Sequence, residues 1–274
     1  MSLPSLNDML KFFVGSPKVC QIFTLAMLWL GIEPLSTQAS PALLSLKFPS
    51  SPENVGAPRA TVGGGVRSSG GQCLQPTAAT PTPQVLIPGF LHSPKTTSQT
   101  PTLHFYVPDN QGHTGEMTLE NILGETIYQN RLTLPPQAGI ISITLSPSMP
   151  LEVNDVYTWS LRVMCNPAEP SQDVLLTGSF EYVERPGSLP EVPKMLAAQS
   201  VASGLAPLTP ETTQKVLAIA SAYAEQGLWL DSLNLISIVR GSVPQEWTEF
   251  LQSVGFDELM DVPLSDCCQS ALPQ

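Results

Sequence analysis

The residues with the clearest chemical potential lie in a glycine-rich stretch that runs from Gly56 to Cys73 and contains Arg59 and Arg67. Its composition predicts neither a regular helix nor a strand, so its use must come from its backbone and from these few side chains. Backbone N–H groups beside two guanidinium groups can bind an anion such as a carboxylate or a phosphate. The alternative is that both arginines form ion pairs with carboxylates of this acidic protein and fix the stretch on a neighbouring surface.

The sequence lacks the other common catalytic and metal-binding patterns. The glycine-rich stretch has no Gly-Lys-Ser/Thr end and follows no strand, so it is neither a phosphate-binding loop nor a dinucleotide fingerprint. His92, His104 and His113 lie outside His-Glu-x-x-His and Cys-x-x-Cys patterns, so we expect no metal site. Residues 109–112, Asp-Asn-Gln-Gly, lack the carboxylate spacing of a calcium loop and predict a hairpin turn. We therefore expect no catalytic residue and no cofactor.

The composition limits the number of domains and the kind of partner. A chain of 274 residues with 42 % hydrophobic content can bury one ordinary core and a second small one. Its 28 prolines and its low share of charged residues, 13 %, indicate long extended connectors. The net charge of −11 and the pI near 4.6 argue against nucleic acid as a partner, because binding to phosphates needs a basic face.

The N-terminal segment has the pattern of a secretory signal peptide. Two lysines precede an apolar run at 19–32, and small residues follow at 37–40. This order predicts a signal peptide over 1–39 that is cleaved near Ala39. The run is shorter than the roughly 20 residues of a membrane-spanning helix, so an uncleaved anchor is the less favoured alternative. We expect the mature chain to be exported to the periplasm or outside the cell.

Removal of this leader leaves Cys73, Cys165, Cys267 and Cys268, an even number in an oxidising compartment. Four cysteines allow three pairings, and adjacent cysteines rarely bond to each other without strain. A disulfide bond between Cys73 and Cys165 is the pairing that we favour. It would tie the glycine-rich stretch to the core. The alternative is that Cys165 is a buried free thiol that packs like a small apolar residue. The state of Cys267 and Cys268 stays open.

Short apolar runs with the period of β-strands occupy residues 84–185. In the clearest run, Tyr157, Trp159, Leu161 and Val163 share one face with Cys165, and that face is expected to point inward. Seven short strands over about 100 residues are typical of an immunoglobulin-like or fibronectin-like antiparallel β-sandwich. The predicted strands lie at 85–87, 103–107, 116–120, 127–134, 141–145, 157–165 and 174–183.

Three helices are predicted after the strands. The first begins after Thr209, a good N-cap, and ends at Gly227. The second covers 229–240, and the third begins at a capping box formed by Ser242 and Gln245. The turn between the first two helices is similar to that of a tetratricopeptide repeat. Only one such unit is visible, whereas about three are normally needed, so an ordinary helical hairpin is the favoured alternative.

These patterns divide the chain into six segments. They are a signal peptide at 1–39, a Pro/Gly-rich linker with the arginine and cysteine motif at 40–83, a β-sandwich at 84–185, a second linker at 186–207, a helical appendage at 208–262 and a flexible tail at 263–274.

An ordered series of motifs extends from about Gly56 to Leu264. In chain order they are Gly56-Ala57-Pro58-Arg59, Gly63-Gly64-Gly65-Val66-Arg67 with Cys73, Phe105-Tyr106-Val107-Pro108, Leu134-Pro135, Tyr157-x-Trp159 with Cys165-Asn166-Pro167, and Tyr223-Ala224-x-x-Gly227-x-Trp229-x-Asp231-Ser232-Leu233. This series resembles the cyanobacterial family of unknown function numbered 928, with small departures at Asn166 and Ser232. The resemblance implies an exported cyanobacterial protein and no established activity.

Two hypotheses of function follow. The first is an exported, non-enzymatic module of the cell envelope whose sandwich and helices form a surface for a protein partner. The second is a small-anion-binding sensor or enzyme that uses the glycine-rich stretch with Arg59 and Arg67. In either case the only membrane contact that we expect is the leader, if it stays uncleaved.

Overall fold

The computed structural model describes residues 46–49, 64–67, 72–74, 81–166, 168–193, 208–265 and 267, with the backbone alone at 64–67 and 72. These residues belong to one compact unit that spans 44–274. The unit is mainly β, with a helical part at its C-terminal end. The predicted signal peptide lies outside the described residues.

The described residues form nine strands, and the seven predicted strands are confirmed to within a few residues. The strands are β1 (Gly64–Arg67), β2 (Gln84–Val85), β3 (Lys95–Thr96), β4 (Thr102–Val107), β5 (Thr114–Glu120), β6 (Thr126–Thr133), β7 (Gly139–Thr144), β8 (Val156–Met164) and β9 (Val174–Tyr182).

The strands form two sheets that pack face to face. The large sheet has the order β1-β9-β8-β5-β6, with β3 beside β9, and the small sheet has the order β2-β4-β7. All pairs are antiparallel except β3 with β9. Phe105 of β4 contacts Trp159 of β8 edge to face, with ring centroids 5.4 Å apart. The predicted inward face of β8 is confirmed, because Tyr157, Trp159, Leu161 and Val163 are all buried.

Two strands and one connection differ from the sequence prediction. Strand β1 lies in the glycine-rich stretch, which we expected to form no strand; its backbone pairs with the outer edge of β9, and such pairing needs no side-chain pattern. Strand β3 is too short to show a period. Residues 109–112 form a turn in which Asn110 Oδ1 accepts hydrogen bonds from the backbone N–H groups of Gly112 and His113. This turn joins β4 to β5 across the two sheets and is therefore not a hairpin.

Strand β4 is buried on both faces. All six of its residues are buried, whereas a strand at a protein surface alternates between buried and exposed positions. Phe105 faces the large sheet, and His104 and Tyr106 share the opposite face. The helices cover that second face, so the small sheet is the middle of three layers.

The helical part consists of α1 (Pro210–Glu225), α2 (Trp229–Val239) and α3 (Pro244–Gln252). The predicted N-cap of α1 is confirmed, because Thr209 Oγ1 accepts a hydrogen bond from the Thr212 backbone N–H. The predicted capping box at Ser242 is wrong. The N-cap of α3 is Val243, without a side-chain bond, and the fixed φ of Pro244 suits the first helical position.

Trp229 anchors the helices to the small sheet. Its indole N–H donates a 2.7 Å hydrogen bond to the carbonyl of Leu86, next to β2. Its ring stacks on Phe250 of α3 at 5.1 Å and receives the edge of Phe48 at 5.0 Å. Phe48 and the neighbouring Leu46 are buried, so residues 46–49 of the predicted linker are part of the core.

A second attachment follows α3. The Ile140 backbone N–H of β7 donates to Pro263 O, and the Ser265 N–H donates to Ile140 O, both at 2.8 Å. A Cβ at Gly139 would displace the Ser265 hydroxyl and lie 3.2 Å from the Pro263 carbonyl oxygen, so glycine favours this close approach. Residues 263–265, which we expected in a flexible tail, are therefore paired with the sheet.

A disulfide bond joins Cys73 to Cys165, as predicted, with a Cα–Cα distance of 5.4 Å. Cys73 lies in a short 3-10 turn, Gln72–Leu74, and Cys165 follows the end of β8. The bond connects the segment that carries β1 to the end of the large sheet. Cys267 also takes part in a disulfide bond.

Replacing both Cys73 and Cys165 by serine is expected to lower the free energy of unfolding by about 4–5 kcal/mol, because the bond closes a long loop in the unfolded chain, with a sequence separation of 92. Urea unfolding of wild type and variant measures the loss. Each single serine variant is expected to lose as much as the double variant, since either one removes the bond. A double variant within about 1 kcal/mol of wild type would contradict this expectation.

Candidate binding site

A cleft of about 490 Å³ opens where one end of the small sheet meets the helices. Its walls come from the β3–β4 connection, the end of β7, the segment after β9, and helices α1 and α2. This volume lies within the range of sites for small ligands or short chain segments. The cleft is therefore the candidate binding site of the described residues.

One wall of the cleft is rich in hydroxyl groups. The Thr102 and Thr144 hydroxyls hydrogen-bond to each other across β4 and β7 at 2.9 Å. The Ser98 backbone N–H donates to Thr96 Oγ1, and the Thr100 N–H donates to Ser98 Oγ, both at 3.1 Å. These bonds fix the shape of the segment, and a hydroxyl can still form further bonds to a ligand. The serine and threonine side chains of the described lining are Thr96, Thr97, Ser98, Thr100, Thr102, Thr144 and Ser146.

Asp231, in the first turn of α2, joins the helix to this wall. Its Oδ2 accepts a 2.9 Å hydrogen bond from the Thr97 backbone N–H, and its Oδ1 accepts one of 3.3 Å from the Thr96 hydroxyl. The residue as a whole keeps some exposure to the cleft, but its carboxyl group is closely surrounded by protein. Burial raises the pKa of Asp231 to about 6, and the hydrogen bonds offset only part of that rise.

The other charged groups lie at the mouth of the cleft. Arg185 and Glu191 are exposed, and the Arg185 guanidinium donates a 2.6 Å hydrogen bond to Leu189 O. Tyr223 of α1 is buried, and its hydroxyl donates to Pro190 O at 3.2 Å. Burial, with the nearby Asp231 carboxylate, raises the pKa of Tyr223. The mouth thus offers one cationic and one anionic group to a ligand.

His104 lies between the small sheet and α2 and does not line the cleft. Its Nε2 is 3.2 Å from Ser237 Oγ, and the Ser237 hydroxyl donates its own proton to Asn234 O at 2.7 Å. Nε2 must therefore carry the ring proton, which leaves the buried Nδ1 without a partner. Burial lowers the pKa of His104 to about 3, so the ring is neutral in the folded protein at physiological pH.

The structure tests the predicted disulfide bond but not the predicted anion-binding arginines. The structure brings Cys73 and Cys165 together and places neither in the cleft lining. Arg59 lies outside the described residues, and only the backbone of Arg67 is described, in β1 opposite Leu175. The anion-binding hypothesis for these two arginines therefore stays a prediction. In the described part of the chain, no group of three His, Cys, Asp or Glu side chains is arranged to hold a metal ion.

The sequence pattern alone does not show which residues line the cleft. One available signal was the run Thr96-Thr97-Ser98-x-Thr100-x-Thr102, in which five of seven residues carry a hydroxyl group. Another was Asp231, a carboxylate near the start of a helix that follows the Gly227 turn. Neither signal indicates that Asp231 contacts the threonine-rich run, because α2 and the β3–β4 connection are far apart along the chain.

The fold and the cleft define a mainly β protein with a C-terminal helical part and a candidate binding site that is rich in hydroxyl groups. The chain belongs to the family described as Domain of Unknown Function (DUF928), whose model matches residues 62–264. No curated protein is significantly similar to it. None of the helices in the described residues is both long and apolar enough to span a bilayer.

A solved structure with a similar region is that of the Bifidobacterium dentium beta-glucuronidase complexed with coumarin-3-O-glucuronide. The sequence identity is 14 % and the TM-score is 0.23. The similar region covers 31 % of this chain and 15 % of the glucuronidase chain. A similarity of this size carries no conclusion about fold or activity.

His104 and Asp231 are expected to give opposite pH dependences of stability. The folded-state pKa of His104 is lowered from 6.5, so its contribution is present above pH 6.5 and is lost on acidification. The folded-state pKa of Asp231 is raised from 3.8, so acidification through pH 6 stabilises the folded state. Between about pH 8 and pH 5, wild type should lose about 2 kcal/mol relative to His104→Gln and gain about 1 kcal/mol relative to Asp231→Asn.

Urea unfolding of the three proteins at both pH values measures these differences. The glutamine variant keeps an amide N–H that can donate to Ser237 but has no group that titrates in this range. The asparagine variant removes the titration of Asp231 and replaces one of its two accepting oxygens by a donor, a cost that does not change with pH. Stability differences that are independent of pH for both variants would contradict the assignment.

Proposed function

We propose that this chain is an exported, non-enzymatic module of the cell envelope that binds an extended polar segment of a partner protein in its cleft. The observation that carries the proposal is the hydroxyl-lined cleft between the small sheet and the helices. A peptide in an extended form has unpaired N–H and C=O groups, and hydroxyl groups can both donate to and accept from them. The opposite charges of Arg185 and Glu191 at the mouth would orient such a segment in the cleft.

A peptide fits this cleft better than a sugar ring does. Carbohydrate sites usually place an open aromatic face against the sugar, but the one aromatic residue in the lining is Tyr223. Its side chain is buried and its hydroxyl is already bonded to Pro190 O. The lining thus supplies hydrogen-bonding groups without a stacking surface.

The lining also argues against catalysis. Among the described residues that line the cleft there is no histidine, cysteine or lysine, which leaves hydroxyl and carboxyl groups as its bases and nucleophiles. The acidic group with the raised pKa, Asp231, already accepts hydrogen bonds at both oxygens. These bonds hold α2 against the β3–β4 connection, so Asp231 acts in positioning the wall.

Export rests on the leader pattern at 1–39 and is supported by the Cys73–Cys165 bond, since structural disulfides persist mainly in oxidising compartments. We propose the periplasm or the extracellular space, with an uncleaved N-terminal anchor as the alternative. We also propose a cyanobacterial source for this chain, on the basis of the family resemblance.

We propose further that the two sheets form an immunoglobulin-like or fibronectin-like sandwich and that α1 and α2 form a hairpin of the tetratricopeptide kind. Two mostly antiparallel sheets packed face to face support an immunoglobulin-like or fibronectin-like sandwich. The tight α1–α2 turn at Gly227, with Tyr223 and Leu233 both buried, supports a helical hairpin of the tetratricopeptide kind. Because the hairpin packs on the small sheet, it needs no further repeats to cover its apolar face.

Peptides selected from a random library on the mature protein test the binding function. We expect them to raise the melting temperature saturably and to bind at least about tenfold more weakly to the double variant Thr100→Val with Asn234→Leu, since each lost hydrogen bond costs about 1 kcal/mol. Both substituted residues line the cleft.

Thr133→Val is the matched control, because Thr133 is an exposed threonine on β6 outside the lining. Calorimetric titration of the selected peptides against the three proteins gives the affinities. Selected peptides that bind equally to the cleft variant and to wild type would refute the cleft as the binding site.

A further inference from the structure

The exposed apolar side chains of the described residues are concentrated in two segments, 120–126 and 145–156. Ile122 and Leu123 lie in the β5–β6 turn and are 70 % and 79 % exposed. Met149, Val153 and Val156 lie in the β7–β8 connection and at the start of β8. These five are the large hydrophobic residues that the described part of the chain leaves exposed.

The two segments lie at the same end of the molecule. The Ser148 backbone N–H donates a 2.8 Å hydrogen bond to Ile127 O, at the start of β6. Glu120, at the end of β5, pairs with Thr158, two residues from Val156. The five residues therefore lie at one end of the molecule, the apolar end, at the opposite end of β8 from Cys165.

The apolar side chains of the β5–β6 turn are not needed to form the turn. Asn121 Oδ1 accepts hydrogen bonds from the backbone N–H groups of Leu123 and Glu125, and Asn121 Nδ2 donates to Glu125 Oε2. Gly124 takes the positive φ, +78°, that such a turn requires. Polar residues usually occupy the positions held by Ile122 and Leu123, so their exposure calls for a role beyond folding.

The charges of the apolar end select among possible partners. Segments 120–126 and 145–156 contain Glu120, Glu125, Glu152 and Asp155, and neither contains lysine or arginine. These carboxylates would repel an anionic membrane and would repel the same surface of a second copy. A partner surface with an apolar pocket surrounded by lysine and arginine is complementary both to the apolar side chains and to the carboxylates of the apolar end.

We infer that the apolar end is a docking surface for a protein that carries an apolar pocket bordered by lysine and arginine. Ile122 and Leu123 enter the pocket, and the surrounding carboxylates pair with its basic border. The five residues are not among those that line the cleft, so this inference stands whether or not the cleft binds a peptide.

An amphipathic helical peptide of leucine and lysine, with its leucine–glutamate counterpart, provides a defined probe. We expect the full chain to bind the lysine peptide and not the glutamate peptide. Ile122→Ser with Leu123→Ser should weaken that binding at least about tenfold, because the variant loses two apolar anchors and no charge. Glu152→Lys should weaken binding of the lysine peptide through charge alone.

The double variant Gln129→Ser with Thr133→Ser, at exposed positions of β6, is the matched control and should bind like wild type. Thermal unfolding should show the same stability for the serine variant of the turn and for wild type, because Asn121 and Gly124 are retained. The cleft variant Asn234→Leu should leave binding of the lysine peptide unchanged, which separates this surface from the proposed peptide site.

Three outcomes would overturn the inference. The first is equal binding of the lysine peptide by wild type and by the serine variant of the turn, or no binding by either. The second is sedimentation with neutral phosphatidylcholine vesicles that depends on Ile122 and Leu123, which would assign the apolar end to a membrane. The third is a dimer in light scattering that the same substitutions abolish, which would assign it to a second copy.

Discussion

Strand β4 has a neighbour on each of its two faces, and the other layers are arranged around it. On one face Phe105 packs against Trp159 of the large sheet, and on the other His104 approaches Ser237 of α2. A strand buried in this way cannot leave its second face open to water, because Tyr106 and the neighbouring apolar residues would then be exposed. The helices are therefore required by the small sheet, and the small sheet gives the helices the apolar surface that such short helices need.

This arrangement separates the two ends of the molecule. At one end the Cys73–Cys165 bond ties the segment of β1 to the end of β8. At the other end the strands stop at connections whose side chains are free to meet other molecules, as loops at one end of a rigid sheet scaffold often do. Both the cleft and the apolar end lie there. These open connections carry the two surfaces that we propose to bind partners.

The sequence predicts the strands well because alternation along β8 and its neighbours follows directly from burial on one face. The sequence does not predict β1, because the glycines of this strand show no periodic pattern and the strand is held by backbone pairing with β9. The sequence also does not predict the burial of the Asp231 carboxyl group and of His104. Their burial depends on contacts between α2 and strands that are more than a hundred residues away along the chain. The disulfide bond was predictable since so few cysteines were available to pair.

We expect the sheets and the helices to unfold as one cooperative unit because both pack on β4. Native-state hydrogen exchange of the full chain at increasing urea concentration measures it most directly, because it reports an opening free energy for each amide. We expect the amides of β4 and α2 to exchange with the same free energy and the same urea dependence as global unfolding. Exchange of the α2 amides at a clearly lower free energy, while β4 stays protected, would show that the helices are a separate unit and would contradict it.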